Sequence, residues 1–250
     1  MKNFNKKLSK QFGSLRISIL NEPKYKKHLY ADYVELACLF SKDFVSQNEI
    51  IDRLEDNGET FKVDEIPDGE FGLYDSEKQD KAEIWMNSIF EYLNERSNIY
   101  GISYPFVIDK TKGIKIIEKN VLTEKQKLYL FLLIASSLNF FKEIKDELTS
   151  DFEILSENIL QTFLPTNAKV FGFGSNTKFT GNAQEKIKKL ANEINIQYCE
   201  RIVSQISVNN SREEGLDLIG WIPFEDNNPN TIIILGQCAC GKDWFNKQNE

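Results

Sequence analysis

The chain of 250 residues has one histidine, His28, and four cysteines with no C-x-x-C pair among them. A single imidazole leaves little room for triad or histidine acid–base chemistry. It also argues against a zinc site of the common cysteine and histidine spacing. No apolar run reaches the roughly 18 residues that a transmembrane helix needs. The longest candidate, Leu128–Ala135, reads instead as a buried helix. Met1-Lys-Asn-Phe-Asn-Lys-Lys lacks the apolar stretch of a secretory signal, so a cytoplasmic location is the default expectation. Positive charge is also in deficit. A net charge of −7 argues against a protein that coats nucleic acid with a uniformly basic surface. Met1–Lys27 is the exception, with eight Lys/Arg against the one acid Glu22. Such an arm either touches phosphates or simply solubilises the N-terminus.

What is present is enough apolar mass for a core, 41% of residues, in a length that suits one large domain or two smaller ones. The first two-thirds read as mainly helical. His28–Lys42 carries Leu29, Tyr33, Leu36, Ala37 and Phe40 on one stripe, Ser46 begins a second helix, and Asp80–Arg96 is a third. Thr60–Glu77 is broken by Pro67, Gly69 and Gly72 and reads as a loop. Two apolar runs around Lys110-Thr-Lys-Gly113 predict a β-hairpin. Thr123 is a candidate N-cap for a central helix running to Lys142, and Asp151–Leu164 is an amphipathic helix stopped by Pro165. After Pro165 the pattern changes. Val170–Gly174 is a loop or short strand, Asn182–Asn195 a helix, and Ile202–Val208, Gly215–Ile222 and Thr231–Ala239 are three strand candidates.

The last strand runs into G-Q-C-A-C-G-K-D-W, which contains G-x-x-x-x-G-K from Gly236 to Lys242. Two facts count against a phosphate-binding loop. Asp243 stands where a Ser or Thr hydroxyl would hold Mg²⁺. That loop also opens a doubly wound sheet, whereas here only eight residues follow Lys242. The alternative starts one strand earlier. Asp217 on "EEGLDLIGWIPF" and Gln237 on "TIIILGQ" come to one sheet edge if the two strands pair. Asp217 offers a carboxylate, Gln237 a carbonyl oxygen and Lys242 the nearest cation, the donor types that metal-dependent phosphodiester hydrolysis uses. Cys238 and Cys240 would alternate along the same strand as buried, reduced residues.

A helix, a strand bearing G-L-D and a strand ending G-Q-C-A-x-G-x-x-W resemble the PD-(D/E)XK restriction-endonuclease-like superfamily. They resemble in particular its Mrr-like branch, with glutamine for the second acid. The chain is also similar to nuclease-like subunits of bacterial anti-phage defence operons, and Phe152-Glu153 fits their F-E helix. The resemblance covers roughly Asp151–Trp244. The expected fold is α+β: the residue pattern gives a mainly α-helical region and small hairpin over 1–165, and the resemblance implies a restriction-endonuclease-like mixed-sheet core over 166–250. The resemblance also implies Mg²⁺ or Mn²⁺ held by Asp217 and Gln237, with a helix glutamate from among Glu185, Glu153 and Glu214. Glu185 stands first because its helix directly precedes the three strand candidates. Two departures stand out. Ala239 occupies the place of the family's lysine, so Lys242 would act from the loop. The strands that usually follow do not appear before Glu250, so either the chain is shortened or a partner covers the open sheet edge.

The expected function is therefore a Mg-dependent deoxyribonuclease, alone or as a subunit of a defence complex, with DNA as substrate. A protein partner such as a helicase or ATPase subunit is expected as well, and no membrane. The alternative is a non-catalytic adaptor that docks such a partner. A weaker third possibility is a DNA-binding subunit acting through residues 1–27.

Overall fold

The computed structural model describes residues 8, 10, 12, 23–41, 44–56, 75–118, 121–138, 141–173, 177–207, 216–224 and 232–239, with only the backbone for 23–26, 75–81 and 142. The chain divides into two compact units, Met1–Lys142 and Glu143–Glu250. The boundary drawn from sequence at 165 therefore sits one helix later than this division. The fold is α+β, with seven α-helices and two antiparallel three-stranded sheets among the described residues. No described helix is long and apolar enough to cross a membrane.

In the first unit, α1 (Pro23–Phe40), α2 (Gln47–Asp56), α3 (Asp75–Tyr100) and α4 (Glu124–Ser136) surround a small sheet. Its strands are β1 (Val45–Ser46), β2 (Phe106–Asp109) and β3 (Gly113–Ile116), in the order β1-β3-β2. The predicted hairpin is β2–β3, with Phe106 opposite Ile116 and Asp109 opposite Gly113. Its turn is set by the Asp109 carboxylate, which accepts the Thr111 N–H at 3.1 Å and the Thr111 hydroxyl at 2.9 Å. Gly113 has φ +149°, and a Cβ there would lie 2.1 Å from the Val45 carbonyl oxygen, so only glycine fits. Two predicted caps are present. The Ser46 hydroxyl accepts the Glu49 N–H, and Thr123 forms a capping box with Gln126. The helix after Thr123 stops at Ser136 and leaves Leu128 and Leu132 exposed, so it is shorter and less enclosed than its composition suggested.

The apolar centre of this unit comes from Val34, Leu36 and Ala37 of α1, Met86, Ile89, Phe90 and Leu93 of α3, and Ile114 of β3. Inside it sits a charged network. The Glu35 side chain is fully buried. Its Oε1 accepts the hydroxyls of Tyr104 at 2.6 Å and Tyr129 at 2.8 Å, and its Oε2 accepts Arg96 Nη1 at 2.9 Å. The same Arg96 nitrogen meets Asp32 Oδ1 at 2.7 Å. Burial drives the Glu35 carboxyl up to about 7 although Arg96 pulls it down, and burial raises Asp32 in the same way.

In the second unit, α5 (Lys145–Phe163) is followed by β4 (Lys169–Gly172), α6 (Ala183–Glu193), α7 (Glu200–Val203), β5 (Leu218–Ile222) and β6 (Ile232–Gly236). The sheet order is β4-β5-β6, antiparallel throughout, where the resemblance implies a mixed sheet. One strand assignment needs correction. Within Ile202–Val208, the described residues to Ser207 are not strand: Glu200–Val203 is a single helical turn, with Ser204 N bonded back to the Glu200 carbonyl at 2.9 Å, and Val208 lies outside the described residues. The third strand is β4, from the glycine-punctuated Val170 segment. Two faces of the sheet are covered. Leu160 of α5 and Leu164, just past its end, lie over Gly220, where a Cβ would come 3.2 Å from Leu164 Cδ1. On the other side Phe173, Phe179, Leu190, Ile194, Ile219 and Trp221 form one cluster.

Two outcomes are expected for the buried network. Arg96→Met leaves two buried carboxylates without their cation and should cost about 3–5 kcal/mol of stability by chemical denaturation. The folded state binds the Glu35 proton more tightly than the unfolded state. Stability should therefore fall as the pH rises from about 4.5 to about 7, and Glu35→Gln should flatten that fall.

Candidate active site

Three backbone or side-chain hydrogen bonds converge on Asp217, the residue immediately before β5. Its carbonyl accepts the Phe173 N–H at 2.7 Å, just past the end of β4. Its own N–H reaches the Gly236 carbonyl at 3.1 Å, at the end of β6. Its carboxylate Oδ2 accepts the Cys238 N–H at 2.6 Å. That last bond explains why β6 stops at Gly236 rather than running to Ala239. The N–H that would extend the strand is taken by a side chain. Cys238 is consequently not a strand residue but a half-buried one beyond the strand end. Cys240 lies outside the described residues.

Gln237 sits between two residues that are both bonded to Asp217, so the strand pairing does bring 217 and 237 to one end of the sheet. The Gln237 side chain is exposed there. The helix that feeds directly into the three-stranded meander is α5, and α5 carries Glu153. This carboxyl is buried, and its pKa is raised, first by burial and then by the charge of Asp217. Two carboxylates from elements far apart in sequence thus share one electrostatic environment.

Glu185, placed first from sequence because its helix was thought to precede all three strands, is occupied elsewhere. Asn182 and Glu185 form a capping box at the start of α6. The Asn182 side chain accepts the Glu185 N–H at 3.0 Å, and Glu185 Oε2 accepts the Asn182 N–H at 3.1 Å. Gly181, at φ +114°, makes room for that carboxylate, since a Cβ there would fall 2.0 Å from Glu185 Oε2. The insertion of α6 and α7 between β4 and β5 moved the relevant helix one element earlier, to the F-E segment. Glu214, Lys242 and Trp244 lie outside the described residues.

Hard oxygen donors on two carboxylates suit Mg²⁺ or Mn²⁺. Mg²⁺ in particular is held by one or two carboxylates and completes its octahedron with water and substrate phosphates. Among the described residues no set of three or more His, Cys, Asp or Glu side chains comes together as a metal-holding group. A cation at this end of the sheet would therefore have at most two such side chains as ligands among the described residues. Sequence reasoning offered Glu153 only as one of three choices. The signal that would have singled it out is the position of Phe152-Glu153 on a helix followed by a strand pair. That signal was hidden because β4 was read as loop or strand.

Comparison with protein-family models, with curated proteins and with solved structures finds no match for this chain.

Glu153→Gln removes a buried carboxyl that is raised first by its burial and then by the charge of Asp217. It should raise the melting temperature in the presence of a chelator, while abolishing any stabilisation that Mg²⁺ or Mn²⁺ gives the wild-type chain. Paired thermal melts with and without the cation check this.

Proposed function

We propose that this chain is a metal-dependent DNA nuclease or the nuclease subunit of a cytoplasmic defence complex. The reading is supported by the end of the β4-β5-β6 sheet, where hydrogen bonds bring Asp217 and the Gln237 strand end together, and by the buried Glu153 of α5, whose pKa is raised by burial and then by the charge of Asp217. Asp217 and Glu153 would hold the divalent cation. The cation supplies Lewis-acid polarisation of the scissile phosphate and neutralises developing charge. The Cys238 N–H fixes the Asp217 carboxylate through Oδ2, so that carboxylate needs little reorganisation to bind. Burial of Glu153 keeps water away from one side of the site and strengthens its electrostatics. Gln237, exposed at the same end, is placed to orient substrate or to supply a further oxygen. Lys242 keeps the part proposed from sequence, stabilising negative charge on the phosphate.

A second reading rests on β6. Ile232, Ile233 and Leu235 are exposed on this edge strand, and Ile234 is only half-buried. A strand that is apolar on both faces and uncharged is a docking edge for another chain. In this reading the protein is an adaptor for a helicase or ATPase subunit, with or without catalysis of its own.

Purified chain incubated with supercoiled plasmid and Mg²⁺ or Mn²⁺ should nick it. Asp217→Ala and Glu153→Ala should each reduce nicking by on the order of 10²-fold or more, the usual loss when a site essential to charge stabilisation is removed. A folded chain that never cuts, alone or with its co-encoded neighbour, would leave the adaptor. The adaptor should then lose its partner when Ile233 and Leu235 are both changed to lysine.

A further inference from the structure

Glu153 does not stand alone on α5. Glu157 follows one helical turn later and Gln161 one turn after that, so the three share a face. Glu157 and Gln161 are turned toward the β4 segment, and Glu153, buried on the same face, feels the charge of Asp217. Glu157 Oε2 accepts the Gly172 N–H of β4 at 3.0 Å, and Gln161 Nε2 donates to the Ala168 carbonyl at 3.1 Å. β4 is an outer strand of the sheet. Phe173 directs its N–H at Asp217, so the N–H of its neighbour Gly172 points the other way, out of the sheet edge. Glu157 and Gln161 therefore serve the outward-facing groups of β4. They close that edge against other chains and fix how far α5 can slide along it.

We infer that Glu157 is the positioning residue of the Glu153–Asp217 pair, and this rests on the cation-site reading above. The connection is short. Glu157 holds Gly172, the next residue Phe173 holds the Asp217 carbonyl, and Glu153 lies one turn back along the same helix. A slip of α5 by one residue would carry Glu153 about 1.5 Å along the helix axis and rotate it by roughly 100°. Either change takes a ligand out of reach. Glu157 is not itself a ligand in this account. It acts as a hydrogen-bond acceptor, and its charge is not required.

The test uses the full chain and Mn²⁺ alone, without DNA, with free Mn²⁺ read by electron paramagnetic resonance. Glu157→Gln keeps an acceptor oxygen and should bind Mn²⁺ within about 3-fold of wild type, a spread that the loss of one hydrogen-bonded charge accounts for. Glu157→Ala should weaken binding by about 10–100-fold, the usual cost of losing a group that orients a metal ligand. Hydrogen exchange at the Gly172 amide should stay slow in Glu157→Gln and become fast in Glu157→Ala. Should Glu157→Ala fail to fold, Gln161→Leu removes the neighbouring anchor and should weaken Mn²⁺ binding in the same direction. Unchanged binding in the variant that folds would overturn the inference. So would a loss in Glu157→Gln as large as in Glu157→Ala, because the carboxylate would then be a ligand. Absence of Mn²⁺ binding by the wild-type chain would overturn the cation site itself and this inference with it. That failure is visible before any variant is compared.

Discussion

Asp217 is the joint of the second unit. Its carbonyl holds the end of β4, its N–H the end of β6, and its carboxylate the first N–H beyond β6. One residue thereby terminates the sheet and presents a carboxyl group at its end. A charged side chain at such a junction needs donors, and the Cys238 N–H supplies one. The adjacent, buried carboxyl of Glu153 works against this arrangement, since two like charges in a poorly solvated place repel.

The two units place buried charge differently. In the first, Glu35 has donors on both oxygens from Arg96, Tyr104 and Tyr129, and Arg96 also serves Asp32. The network is closed on itself and ties α1, α3 and α4 together with the residue leading into β2. In the second, the buried Glu153 carboxyl is raised first by its burial and then by the charge of Asp217. The first pattern locks helices in place.

Much of this was legible in the sequence, for local reasons. The β2–β3 hairpin, the Ser46 and Thr123 caps and the α+β class follow from turn residues, capping side chains and apolar periodicity, all read within a few residues. That residues 217 and 237 come to one end of the sheet was legible because strand ends with glycine are visible in sequence, and the pairing of β5 with β6 brings them together. What escaped depended on distant partners. Ile202–Val208 alternates like a strand, yet four residues of it and its flank close a helical turn, because short windows fit either period. Val170–Gly172 is strand only because β5 pairs with it, and once it is strand, the preceding helix becomes α5 rather than α6. That single reassignment moves the helix carboxylate from Glu185 to Glu153. The Glu35 network was invisible for the same reason: Arg96, Tyr104 and Tyr129 lie 61, 69 and 94 residues from it.

The most direct test of the cation site is a crystal of the full chain soaked in Mn²⁺ and measured at the manganese absorption edge. The account predicts one anomalous peak between the Glu153 and Asp217 carboxylates, at roughly 2.0–2.6 Å from an oxygen of each. A well-ordered site without that peak, in which Asp217 keeps only its protein partners and Glu153 stays buried and uncoordinated, would contradict it.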